Sequence, residues 1–225
     1  CPLAVIQKRH STKINIDEIL KLNLKMTYGI VGVLLIGGLV FYLTSCNNKS
    51  KEGEQKNSQQ ITDTSKVKET KEKENPYPAL RTQSFSITPD QLQLKLDDTK
   101  TIAYGLIMEW DITDAVISVV TFQTGDASIY ISTGQIFMGG FAHENIRNSA
   151  LTFINSGQEY LSFSKPTTET PLPDKGCVRF YFLTNKGKYY MQETVENIEN
   201  NKSSLTKLFD LGNNVITEYR KTTDK

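Results

Sequence analysis

Ile102-Ala103-Tyr104-Gly105-Leu106-Ile107-Met108-Glu109-Trp110 decides the fold, because the stretch is apolar on both of its alternating faces. A strand with one face in water alternates apolar and polar side chains, whereas a strand covered on both faces does not. These residues are therefore expected as a central strand. Ala115 to Gln123 follows as a second, β-branched strand, and Thr124-Gly125-Asp126 turns the chain into Ala127-Ser128-Ile129-Tyr130-Ile131-Ser132-Thr133. In that third strand Ile129 and Ile131 share one face, while Ser128, Tyr130 and Ser132 share the other. A three-stranded antiparallel meander is the simplest consequence.

Further along, Gly139-Gly140 breaks the chain. Ala142 to Leu161 then places Ile146, Ala150, Phe153, Ile154, Gly157 and Leu161 at helical spacing. Cys177 to Leu183 and Lys188 to Val195 read as a hairpin about Asn185-Lys186-Gly187. A last helix, Lys202 to Tyr219, aligns Leu205, Leu208, Phe209, Gly212, Val215 and Tyr219. The order βββαββα predicts an α+β fold, an antiparallel sheet with two helices packed on one face as a two-layer sandwich. In element order alone it is similar to profilin-like and roadblock-type domains. Working outward in the other direction, Pro89 after Thr88 suits a short helix or turn carrying Leu92, Leu94 and Leu96, and Pro76-Tyr77-Pro78 stiffens the approach to the domain. One globular domain is expected over residues 79–225.

Upstream the composition changes. From Asn47 to Asn75 the chain carries seven lysines, six acids and no aromatic residue, with only Ile61 and Val67 as sizeable apolar groups. Such a stretch buries too little surface to offset its ordering entropy and is expected as a disordered tether. As a flexible coil its 29 residues reach about 30 Å. Before it lies an uncharged run from Met26 to Asn48, whose dense apolar part, Ile30 to Leu43, is 14 residues long and contains three glycines. That is short of the roughly 20 residues of a membrane-spanning helix and closer to a signal-peptide core. The run ends in Leu43-Thr44-Ser45-Cys46, which resembles the lipobox of bacterial lipoproteins, and Lys21 and Lys25 supply a positive flank. The resemblance implies cleavage before Cys46 and lipidation of its thiol. Residues 26–45 are then a signal peptide and residues 46–78 a lipidated cysteine with its tether. An uncleaved single-span anchor is the rival reading of the same run. Residues 1–25 open with Cys1-Pro2 and are read as an upstream segment. A diacylated cysteine holds a protein stably on a membrane, so the expected location is the cell envelope, with Asn47 pointing to the outer membrane.

Charge excludes one class of partner. Removing residues 1–45, with five basic and two acidic side chains, from a total of 26 and 25 leaves 21 and 23, a net of minus two. No basic stripe with interleaved aromatics emerges, so nucleic acid is not an expected partner. After processing, the cysteines are Cys46 and Cys177, and Cys177 opens the apolar run Cys177-Val178-Arg179-Phe180-Tyr181-Phe182-Leu183, where a buried structural thiol is expected. Phe180, Phe182, Tyr189 and Tyr190 are read as core and cross-strand packing.

Gly134 to Asn145 is the stretch with chemical interest. Gly139 and Gly140 just before a helix start are placed to bring backbone N–H groups to an anion. The spacing fits neither a Walker A loop nor a dinucleotide fingerprint, and a tight connection explains the same glycines. With Tyr104-Gly105, Gly125-Asp126 and His143-Glu144, the segment resembles small bacterial domains of uncharacterised role, a likeness that carries over no functional residue. His143 is the sole histidine after residue 45, which removes multi-histidine zinc sites. A hydrogen-bonding role at the helix start is its expected one. Glu109, Asp111 and Asp126 are the carboxylates that a mixed ligand site with His143 would use. Glu109 and Asp111, two apart on one strand face, are read as capping an exposed strand end, and no cofactor or metal is expected.

Two classes of function follow. The first is a lipid-anchored module that binds another envelope protein, or a second copy of itself, through a sheet face or edge. The second is an envelope hydrolase or small-ligand domain centred on Gly139, Gly140 and His143. The absence of a nucleophile motif and the single histidine favour the first. A pocket joining His143 to Glu109, Asp111 or Asp126 would reverse that order.

Overall fold

Strand β1 (Ala103–Ile112) lies at the middle of the structure, and nearly all of its residues are buried. In the computed structural model, which describes residues 74–223, it pairs antiparallel with β2 (Ala115–Phe122) on one side and β6 (Cys177–Thr184) on the other. The expected signal segment, Cys46 and residues 46–73 of the tether lie outside the described residues. β3 (Ala127–Ile131) and β4 (Ile136–Phe137) continue the meander beyond β2. On the far side β7 (Gly187–Thr194) pairs with β6, and β5 (Lys165–Thr167) pairs with β7. The sheet order is β4-β3-β2-β1-β6-β7-β5, antiparallel throughout. A register shift at Ala103/Gly105 marks a bulge at the start of β1.

Helices α2 (Glu144–Tyr160) and α4 (Thr206–Thr223) cover one face, as the spacing of apolar residues requires, and a short helix α3 (Val195–Glu199) leads from β7 toward α4. Their inward residues Ile146, Ala150, Phe153, Leu208 and Val215 meet Leu106, Met108, Ile117, Val119, Phe180 and Phe182 in one continuous core. The α+β architecture with a two-helix layer is thus the one the sequence dictates.

The opposite face carries a cover that the two-layer expectation lacks. Helix α1 (Tyr77–Ser86) and the turns that follow it bring Tyr77, Leu80, Phe85, Ile87, Leu92, Leu94 and Leu96 over Tyr104, Ile107, Val120, Phe122, Tyr130, Tyr181 and Leu183. Pro76-Tyr77-Pro78, taken as the stiff end of a tether, instead begins this helix. Pro78 stands in the first turn, where a missing N–H costs no intrahelical bond. The Asn75 side chain ties the start down, accepting from the Tyr77 N–H (3.0 Å) and donating to the Ser132 carbonyl (2.8 Å). The domain therefore takes in Asn75 to Pro78, which the sequence reading assigns to the tether.

Candidate functional site

The glycine-histidine segment is built as a rigid corner. β4 ends at Phe137, Gly139 adopts φ +82°, and Gly140–Ala142 forms one 3-10 turn leading into α2. Gly140 is buried, and a methyl group added there would lie 2.5 Å from Tyr219 Oη and 2.7 Å from Ile146 Cγ2. The Tyr219 hydroxyl lies against Gly140 and donates to the Ala127 carbonyl at 2.5 Å, and burial pushes its pKa far above the ordinary tyrosine value. The N–H groups of Ala142 and His143 are bonded to the carbonyls of Gly139 and Gly140. Two of the N–H groups that an anion would have used are thus spent inside the corner, as a tight connection requires.

His143 caps α2 with its backbone only. Its N–H reaches Gly140 and its carbonyl accepts from the Arg147 N–H at 2.9 Å, while the exposed imidazole makes no capping bond. The hydrogen-bonding role expected of His143 at the helix start is carried by its main chain. Arg147 folds back on the corner, donating to the Phe141 carbonyl (3.1 Å) and stacking on the Phe141 ring (5.3 Å to its centre). The same arginine packs against the backbone of Gly125. On this clamped support Met138 and Phe141 face solvent, 59 % and 49 % exposed.

The carboxylates lie elsewhere, and no hydrogen bond or ion pair joins them to His143 among the described residues. Asp126 is exposed in the β2–β3 turn and accepts from the Thr124 hydroxyl at 2.6 Å. Asp111 does share a face with Glu109, and its Oδ2 accepts from the Gly176 N–H at 2.7 Å. Glu109 caps no exposed strand end. It is fully buried beneath α1, accepting from Arg81 Nε and Nη2 at 2.7 Å each and from the Ser118 hydroxyl at 3.0 Å. Burial opposes the charged form of Arg81, but the bonds to Glu109 outweigh it and hold the guanidinium's pKa above its usual range.

Around this pair runs a polar row that sequence reasoning missed. Ser118, Glu109, Arg179 and Gln192 are register partners across β2, β1, β6 and β7, so they stand side by side on the α1 face. Arg179 Nε donates to Gln192 Oε1 (2.8 Å), Gln192 Nε2 to Asp174 Oδ2 (2.7 Å), and the Tyr77 and Ser118 hydroxyls lie 3.1 Å apart. Glu109 and Arg179 each interrupt an otherwise apolar run, which was the available signal: a charge in a doubly covered strand must find a partner. Cys177, at the head of β6, is buried, and desolvation with the nearby Asp174 carboxylate raises its thiol pKa, in line with a structural role.

No group of three or more His, Cys, Asp or Glu able to hold a metal ion occurs among the described residues, and no helix among them is long and apolar enough to cross a membrane. A shallow groove of about 520 Å³ runs along the β5 edge past Thr167, Glu169, Lys186 and Tyr189, away from every candidate residue named above. Comparison of the chain with protein-family models, curated proteins and solved structures finds no match. The outline likeness to profilin-like and roadblock-type domains is therefore one of element order alone.

Proposed function

We propose that this chain is a lipid-anchored protein of the cell envelope whose domain binds another envelope protein through the corner at Met138 to Phe141. The observation that carries the reading is the exposure of two large apolar side chains on a backbone fixed from below by Tyr219 and from the side by Arg147. An exposed aromatic that is already immobile loses little freedom on binding, which is the usual economy of a preformed contact. Sheet-face and sheet-edge association receive no such support. Both faces are covered, and the edge strands β4 and β5 are two and three residues long, the latter with Pro166 in it. The anchor rests on the lipobox-like Leu43-Thr44-Ser45-Cys46 and the polar tether after it.

The test is capture of partners from the native envelope by the full chain, compared with Phe141→Ala and, as a matched control, Phe163→Ala, which removes an aromatic that is 75 % exposed at the other end of α2. A partner lost tenfold or more with Phe141→Ala and kept with Phe163→Ala supports the corner as the contact. Equal capture by all three chains sinks it. Fatty-acid labelling of Cys46→Ser tests the anchor separately: label should vanish while the domain's thermal unfolding is unchanged.

A further inference from the structure

Residues 168–176 cross the α1 face as a strap between β5 and β6, and they are held differently from the rest of the fold. Apart from Pro173, which is buried, and Thr170, which is half-buried, every strap residue is exposed, Leu172 by 45 %. Among the described residues no backbone hydrogen bond joins 168–173 to a strand. Over 168–173 the grip comes instead from side chains rooted in α1 and β6, whereas 174–176, the hinge end, is tied to Gln192, Asp111 and the Val195 N–H. The Thr170 carbonyl accepts from Arg81 Nη2 at 2.7 Å, and the Pro171 carbonyl accepts from Tyr181 Oη at 2.5 Å, from Arg179 Nη1 at 3.3 Å and more weakly from Arg81 Nη2 at 3.4 Å. Three donor side chains thus converge on two consecutive carbonyls. Aromatic rings stand among them: Phe85 packs edge-on to Tyr181 at 4.9 Å and Tyr190 follows at 6.4 Å, with Arg81 stacked on Phe85 and Arg179 on Tyr190.

The strap sequence Thr170-Pro171-Leu172-Pro173 complements this arrangement. Proline has no N–H and a fixed φ, so the segment presents acceptors and is already extended. Grooves that recognise such segments combine aromatic walls with donors to the backbone carbonyls. The two arginines of the site are not equally matched by charge. Arg81 is matched by Glu109, but the carboxylate nearest to Arg179 is the exposed Asp174, at 3.8 Å. A sheet face that needed only a cover would be served at least as well by apolar packing, since buried guanidinium groups are costly to desolvate.

The geometry points to a binding site for an extended, proline-containing peptide of the Thr-Pro-Leu-Pro kind, formed by Arg81, Phe85, Arg179, Tyr181 and Tyr190, filled in cis by the strap and open to such a segment of a partner protein when the strap lifts. The strap's few buried apolar groups make it a low-stability element, the class from which displaceable covers are drawn. The site is independent of the Met138 to Phe141 corner and of the anchor, so it stands or falls on its own test.

The probe is a labelled peptide with the sequence of residues 168–175, titrated against the full chain. A chain carrying Pro171→Gly and Pro173→Gly, whose strap closes less often, should bind it at least tenfold more tightly than the parent, because a closed strap lowers apparent affinity by the fraction of time the site is open. In that background Tyr181→Phe and Arg179→Gln should each weaken binding about tenfold, and so should replacing both peptide prolines by alanine. No binding to a strap-loosened chain that still unfolds cooperatively, or binding indifferent to Tyr181 and Arg179, overturns the site. Should the loosened chain not fold, the parent chain is exposed to the same peptide with a photoreactive leucine at the Leu172 position. Cross-links at Phe85 or Tyr190, competed by unlabelled peptide, support the site, and absent or scattered cross-links overturn it.

Discussion

Gly140 and Tyr219 show how a motif gets its meaning from a residue far along the chain. The glycine pair was legible as a tight connection, yet the reason for the second glycine is the Tyr219 hydroxyl, delivered by α4 and invisible to local spacing. Gly140→Ala should therefore destabilise the domain by about 1 to 3 kcal/mol, because the methyl meets a bonded hydroxyl and a buried isoleucine. Gly139→Ala, with open space around it and only a left-handed φ to satisfy, should cost roughly 1 kcal/mol. Thermal unfolding of both checks the order, and the reverse order would refute the packing account. Tyr219 also sets an alkaline limit. Its folded pKa is raised, chiefly by burial, above the unfolded value of about 10. Its contribution is thus complete below that pH and is lost as the pH rises toward the folded value. Tyr77, Tyr104 and Tyr181 are shifted the same way for the same reason. Tyr219→Phe should lower stability at pH 7 by about 1 to 3 kcal/mol, since the Ala127 carbonyl loses a buried partner. Denaturant titrations from pH 9 to 11.5 should then fall less steeply for Tyr219→Phe than for the parent; parallel profiles would assign the alkaline loss to other groups.

The five longer strands and the two long helices were readable because each carries a hydropathy pattern of its own, whereas the two- and three-residue edge strands β4 and β5 are too short to carry one and were not foreseen. β1 announced a central position by being apolar on both faces, and α2 and α4 by their spacing of Ile146, Ala150 and Phe153 and of Leu205, Leu208 and Val215. Helix α1 has no such stripe. Only Tyr77 and Ser84 are buried in its ten residues, and its hold is mixed: Tyr77, Leu80 and Phe85 join the apolar cluster, while Arg81 on Glu109, Tyr77 beside Ser118 and Asn75 on Ser132 add polar ties. Because α1 was not foreseen, Glu109 had no visible partner and was misread as a strand cap. The site was less legible than the fold for this reason, since its row depends on register between strands distant in sequence. The pair carries a sharp expectation. Arg81→Ala leaves a buried, uncompensated carboxylate and should cost about 3 to 5 kcal/mol at neutral pH, whereas the paired replacement Arg81→Met with Glu109→Leu should recover most of it. Chemical denaturation of the single and double variants checks this, and a double variant as unstable as the single one would contradict the desolvation argument.

A sheet covered on both faces by elements of unequal grip should come apart unequally. The α2–α4 side is one continuous apolar core, while the α1 side combines a smaller apolar cluster with a polar row and a strap held by side chains. Chains beginning at residues 74, 79 and 87 separate these contributions. The first keeps Asn75 and Tyr77 and is the reference against which the other two are compared. The second loses Tyr77, which is 5 % exposed, together with the Asn75 ties, and should be destabilised by roughly 3 to 5 kcal/mol, the cost of deleting a buried aromatic. The third also strips Leu80, Arg81 and Phe85, leaving Ile107, Val120 and Tyr181 with less cover and Glu109 unpaired. An apolar sheet face opened to water drives association, so in sedimentation this chain should form larger species than the one beginning at residue 74. If the chain from residue 79 melts with the chain from residue 74, the domain begins where a tether of residues 46–78 would place it, and the buried Tyr77 contributes nothing measurable. If it melts lower, the Asn75-Pro76-Tyr77-Pro78 segment is a structural element of the domain.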